Sequence, residues 1–176
     1  MTSTTQMTSI EVVDTEVILT RIFDAPRALV FEMWTNLIHL VRWWGPQTMR
    51  TKCEIDLRVG GCYRIVMHGP DGTSYPLSGK YLELRVPEYF IATVNWQEHP
   101  SEWFAMLNQA RGDAEGELSN EGVWTVTFET VENRTRVTIR NHFFAASDRD
   151  AFVKTGMNEG WSESFEKLDA LLEAER

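Results

Sequence analysis

A chain of 176 residues, 43% hydrophobic and 24% charged, has the size and composition of one globular domain with a sizeable core. Its net charge of −9 argues against nucleic acid or anionic membrane as a partner, since both reward clustered Lys and Arg. No run approaches the roughly eighteen apolar residues of a membrane span, and the polar opening MTSTTQMTSIEVVDT lacks both the basic and the apolar region of a signal peptide. Residues 1–15 therefore read as a frayed terminus, 16–176 as a single domain, and the cytoplasm as its location.

Residues 16–24, EVILTRIFD, are rich in Val, Ile, Phe and Thr and predict a first strand. Asp24-Ala25-Pro26 then supplies a helix start, with Asp as the cap and Pro in the first turn. Leu29, Val30, Met33, Trp34 and Leu37 recur at helical spacing on one face. Asn36 interrupts that pattern, LIHLVRWW forms a second short helix, and Gly45-Pro46 ends it. Six strand-like runs follow, at about 49–57, 62–68, 79–86, 89–96, 122–131 and 134–143. Gly60-Gly61, GPDGTSYP at 69–76, Pro87-Glu88 and Glu132-Asn133 provide turns between them, so the hairpins are antiparallel. From about Asp148 to Glu173 one long amphipathic helix is expected, with Met157, Trp161, Phe165, Leu168 and Leu172 on a single face. Grouped strands and segregated helices make an α+β domain, a seven-stranded antiparallel sheet curled around the long helix with a space between them.

Residues 97–122 break the run of strands. They hold six acids against one base, Arg111, and so supply −5 of the net charge. Such a run reads first as a solvated loop, although SEWFAMLNQA within it carries enough apolar surface for a helical turn or two. Loops of this length inside a compact domain are usually functional or disordered.

Strand alternation places Tyr63, Ile65 and Met67 on one face, Phe90, Ala92, Val94 and Trp96 on another, and Trp124, Val126 and Phe128 on a third. In 79–86 it leaves two choices, Tyr81-Glu83-Arg85 inward or Leu82-Leu84-Val86 inward. Inside an apolar cavity the Glu83 carboxylate would have a raised pKa suited to acid–base work; at a strand surface it would pair with Arg64 or Arg85. Tyr63 and Tyr81 either position a ligand oxygen or simply pack. Trp43 and Trp44 cannot both face inward on so short a helix, and Trp43 is the expected inward ring. Cys53 and Cys62 are too few for a zinc site. His39, His68, His99 and His142 lack metal spacing, and no G-x-S-x-G elbow occurs. No metal or cofactor is expected.

Four stretches in register, FDAPRALVFEMWTNLIHLVRWWGP (23–46), DLRVGGCYRIVMHGPDG (56–72), GKYLELRVPEYFIATVNW (79–96) and GWSESFEKLDALL (160–172), resemble the activator of heat-shock protein 90 ATPase homologue-like family of the START-like, or SRPBCC, superfamily. The resemblance implies a helix-grip fold, a curved sheet around a C-terminal helix enclosing an elongated cavity, with Tyr81 and Glu83 pointing inward. It implies binding of a small hydrophobic or aromatic molecule, lipid-like or polyketide-like. The expected lining is Trp34, Trp43, Tyr63, Ile65, Met67, Tyr81, Glu83, Trp96, Trp124, Met157, Trp161 and Phe165. Two alternatives stand beside it: a cyclase- or dehydratase-type enzyme using Glu83 and a tyrosine such as Tyr81, and an interaction module or homodimer docking through 97–122. The sequence departs from the family pattern at that insertion. The Asn- and Trp-rich N-terminal domain of the eukaryotic co-chaperones also has no counterpart before Val17, which argues against a chaperone partner.

Overall fold

The computed structural model describes residues 6–175. Its elements in chain order are β1 (Ser9–Val13), β2 (Glu16–Phe23), α1 (Arg27–Thr35), α2 (Leu37–Trp43), β3 (Arg50–Ile55), β4 (Cys62–His68), β5 (Ser74–Arg85), β6 (Tyr89–Asn95), α3 (Ser101–Arg111), β7 (Glu121–Val131), β8 (Arg134–His142), α4 (Ala146–Lys154) and α5 (Met157–Ala174). The strands form one antiparallel sheet in the order β1-β2-β8-β7-β6-β5-β4-β3. After β2 the chain crosses through α1 and α2 to the far edge, then meanders back until β8 closes against β2. This is the α+β arrangement of a helix-grip fold.

Two expectations need correction. The sheet has eight strands, not seven. Ser9–Val13, assigned to a frayed terminus, pairs along its length with β2. Four of its five residues are exposed, so it shows none of the in-out alternation by which a strand is recognised in sequence. Residues 1–5 of that expected terminus lie outside the described residues. The single long C-terminal helix is two helices, α4 and α5, separated at Thr155-Gly156. Gly156 adopts φ +100°, a left-handed conformation that only glycine takes cheaply.

In α1 and α2 the sequence logic holds more closely. Val30, Met33 and Trp34 are buried. Asn36 interrupts the two helices and its side chain accepts the Ile38 amide at 3.0 Å, capping α2. α1 itself starts after Pro26 with no side-chain cap.

Helix α5 packs its Phe165, Leu168 and Leu172 into a core shared with the sheet. Three contacts fix its position. Arg21 of β2, 3% exposed, pairs with Asp169 and stands 5.7 Å and 6.0 Å from the Phe23 and Phe165 ring centroids. Burial raises the pKa of the Asp169 carboxyl, with Arg21 opposing the shift. At the other face, the Gly45 amide donates to Ser164 Oγ at 3.0 Å and Lys167 Nζ donates to the Gly45 carbonyl at 3.1 Å. Gly45 has φ +90°, and a Cβ there would meet Met67 Sδ at 2.8 Å. The Gly-Pro stop thus lets the chain leave α2 tightly between the helix and the sheet.

Candidate functional site

A cavity of about 400 Å³ lies between the sheet and α5. The turn after α2 supplies Trp44, Gly45 and Pro46; β4 to β6 supply Met67, Tyr75, Leu77 and Val94; β7 and β8 supply Trp124 and Asn141. α5 contributes Met157, Gly160, Trp161 and Ser164 from one face, the i, i+3, i+4, i+7 spacing of a helix stripe. The remaining wall comes from the acidic insertion and α4. Trp103 and Met106 of α3, His99 before it, and Phe152 of α4 all line the space.

Five of the seven tryptophans, Trp44, Trp96, Trp103, Trp124 and Trp161, stand on this wall. They pack edge-to-face and at tilted angles, with centroids 5.2 Å apart for Trp44–Trp161, 5.6 Å for Trp44–Trp124 and 6.1 Å for Trp124–Trp161, within the range of favourable aromatic pairs. No Asp, Glu, Lys or Arg is among the lining residues. His99 lies against Trp103 at 4.3 Å and Tyr75 at 5.5 Å. Burial pushes its pKa down to about 4, against the opposing effect of a hydrogen bond with the Pro76 backbone, so the ring is neutral at pH 7.

The insertion is held by a buried ion pair. Arg111 Nε lies 2.9 Å from Asp148 Oδ1, with side chains 6% and 2% exposed. Arg111 also donates to the Gly116 carbonyl at 3.1 Å, and Asp148 accepts the Ser119 amide at 3.1 Å. The pair therefore ties the end of α3 and the loop after it to α4. Leu107, fully buried, anchors the same helix.

The expected lining divides into four groups. Met67, Trp96, Trp124, Met157 and Trp161 reach the cavity. Trp34, Tyr63, Ile65 and Tyr81 instead surround a separate void of about 20 Å³, which Trp124 also borders. Tyr63 spends its hydroxyl on the Thr93 carbonyl at 2.6 Å, and burial raises the pKa of both tyrosines. Trp43 and Phe165 are core residues. Trp43, fully buried, donates its indole N–H to the Met33 carbonyl at 2.8 Å, so the inward ring on the cavity is Trp44, and both rings of the pair are buried. Glu83 is exposed and accepts the Tyr89 hydroxyl at 3.2 Å.

The Glu83 position corrects the inward assignment. A β-bulge between Tyr81 and Glu83 shifts the register, pairing Tyr81 with Ala92 but Glu83 with Ile91. The extra residue breaks the alternation: Tyr81 stays inside, Leu82 and Glu83 face out, and Leu84 packs against the core. Arg64 and Arg85, its suggested partners, pair with Glu98 and Glu88. Among the described residues no group of three or more His, Cys, Asp or Glu could hold a metal ion, and no helix is long and apolar enough to cross a membrane.

The model of the family described as activator of Hsp90 ATPase homolog 1-like protein matches residues 24–173. The chain belongs to this family. Among solved structures, a protein from Arthrobacter aurescens is 26% identical with a TM-score of 0.77, over 94% of this chain and 91% of that one. A Rhodobacter sphaeroides protein is 20% identical with a TM-score of 0.80, over 96% and 99%, and a Mycobacterium smegmatis protein is 22% identical with a TM-score of 0.77, over 97% and 98%. At these identities the last two speak for the fold alone. Comparison with curated proteins gives no match. Members of the Hsp90-activator-homolog family commonly bind hydrophobic ligands.

Proposed function

We propose that this protein binds a small apolar, aromatic-rich molecule in the cavity between the sheet and α5. The observation that carries this reading is the wall itself: five tryptophans around about 400 Å³, with no Asp, Glu, Lys or Arg among the lining residues. A volume of that order suits a small-molecule site, and such sites are mostly apolar with a few placed polar groups. Burying apolar ligand surface there gains about 25 cal/mol per Å². The acid–base alternative has lost its carboxylate, because Glu83 stands in solvent and the cavity offers no Asp or Glu in its place.

With five of seven tryptophans on the wall, intrinsic emission reports occupancy directly. Titration with naphthalene-sized aromatic probes is expected to quench and shift it saturably, and native mass spectrometry to show one bound molecule per chain. An emission spectrum and a mass that respond to none of the probes would refute the reading.

A further inference from the structure

The cavity is apolar but not featureless, and its few polar groups differ in whether their hydrogen bonds are already made. Ser164 donates to the Gly160 carbonyl and accepts the Gly45 amide, each at 3.0 Å. Thr155 donates to the Ala151 carbonyl at 2.8 Å. Tyr75 and His142 are partly open to solvent, and His142 Nδ1 also lies 3.5 Å from Thr15 Oγ1. Asn141 of β8 is different. It is 3% exposed, and its amide nitrogen donates to the Val17 carbonyl at 3.2 Å. A backbone carbonyl can only accept, so the NH2 end must face Val17 and the Oδ1 end must face away. That oxygen has no protein donor, and it is not among the polar atoms sealed from any space, which include Trp34 Nε1, His39 Nδ1 and His99 Nδ1. Asn141 lines the cavity, so the free acceptor opens onto it.

Directly across the ladder from Asn141 stands Trp124, and cross-strand partners share a face with their Cβ atoms about 5 Å apart. Trp124 also lines the cavity. The indole N–H groups of Trp43 and Trp96 donate to the Met33 and Ser119 carbonyls, whereas that of Trp124, a half-buried residue, makes no such bond. One unpaired acceptor, on buried Asn141, and one unpaired donor, on half-buried Trp124, thus belong to neighbouring residues of a mostly apolar wall. Leaving both unmet beside a bound hydrocarbon would carry a desolvation cost.

We propose that Asn141 and Trp124 form a hydroxyl-reading subsite, and that the ligand is an uncharged aromatic molecule bearing a hydroxyl group. The hydroxyl proton goes to Asn141 Oδ1 and the Trp124 indole N–H goes to the hydroxyl oxygen. A carboxylate or ammonium is disfavoured, because no Asp, Glu, Lys or Arg lines the cavity to compensate its burial. This rests on the cavity being a ligand site, and the test separates the two claims.

The test compares 2-naphthol, 2-methoxynaphthalene and naphthalene by tryptophan quenching at pH 7, with wild type, Asn141→Leu and Trp124→Phe. The methoxy compound keeps the oxygen acceptor and loses the donor. Wild type is expected to bind naphthol about tenfold tighter than the methoxy compound, the value of one good buried hydrogen bond. Asn141→Leu should erase that difference and leave naphthalene affinity within about twofold. Trp124→Phe keeps an aromatic ring, so it serves even if the Asn141 variant folds poorly; it should weaken naphthol and methoxynaphthalene relative to naphthalene. Equal affinity of wild type for naphthol and methoxynaphthalene, or a naphthol preference that survives both substitutions, overturns the subsite while the apolar cavity stands. Failure of all three compounds to bind wild type overturns both.

Discussion

Gly160 stands on the cavity wall within α5, and nothing lies within 4 Å of where its Cβ would be. A Cβ there meets no protein atom, and a leucine built on it is expected to extend into the cavity. It also replaces glycine inside a helix, a change worth up to about 1 kcal/mol in propensity. Gly160→Leu is therefore expected to hold or raise Tm, by about 2–4 °C for a chain of this size, while abolishing binding of aromatic probes. A variant that melts normally and still binds with full affinity would place the ligand elsewhere. His99 gives a second residue-scale expectation, through pH. Its folded pKa is about 4 against an ordinary 6.5, because burial disfavours the cation. Between those values the unfolded chain takes up the proton first, so the stability His99 contributes is present above pH 6.5 and is lost as pH falls toward 4. Urea melts at pH 7 and pH 4.5 should show His99→Gln losing less stability over that interval than wild type. An identical loss in both proteins would contradict the buried neutral ring.

At the scale of elements, the α3–α4 pairing depends on Arg111 and Asp148 more than its acidic sequence suggests. Removing one partner of a buried ion pair leaves an uncompensated charge, at a cost of about 3–5 kcal/mol. Arg111→Met should lose stability of that order in chemical denaturation, and hydrogen exchange should speed up through 101–120, because the loop after α3 is hung on the same guanidinium. Adding Asp148→Asn to that variant should recover part of the loss, which an exposed pair would not do. This latch was not readable beforehand. In sequence Arg111 is the lone base of a solvated run, and nothing local points to Asp148 across the fold. What the sequence did reveal were elements with one wet and one dry side. Tyr63 and Ile65 alternate with more exposed neighbours in β4, and Trp161, Phe165, Leu168 and Leu172 share the inward stripe of α5. β1, open to solvent on both faces, offered no such contrast. The bulge at Leu82 and the choice of Trp44 over Trp43 were set by pairing register and by the Gly45 turn, which are tertiary facts. Asn141 carries no sequence signal for the same reason: in a strand pattern it is one more polar residue, and only the Val17 carbonyl gives its orientation meaning.

For the whole molecule, the sheet and α5 are held apart at one end by the cavity and joined at the other by a continuous core of Phe23, Phe128, Phe165 and their neighbours. A ligand that fills the open end binds the folded state and not the unfolded chain, so its effect on stability follows from mass action. At a free concentration one hundred times Kd the gain is about 2.7 kcal/mol, or roughly 5–10 °C in Tm. Salt then discriminates the chemistry. An ionic contact would weaken steeply as added salt shortens the screening length from about 10 Å to about 3 Å, whereas a site with no Asp, Glu, Lys or Arg in its lining has little for salt to screen. The ligand-induced rise in Tm, taken relative to unliganded protein at each ionic strength, should therefore stay constant from about 0.1 M to about 1 M salt or increase slightly as apolar solubility falls. A rise that collapses with salt would mean that the bound species is held by surface charge and that the tryptophan wall is only core.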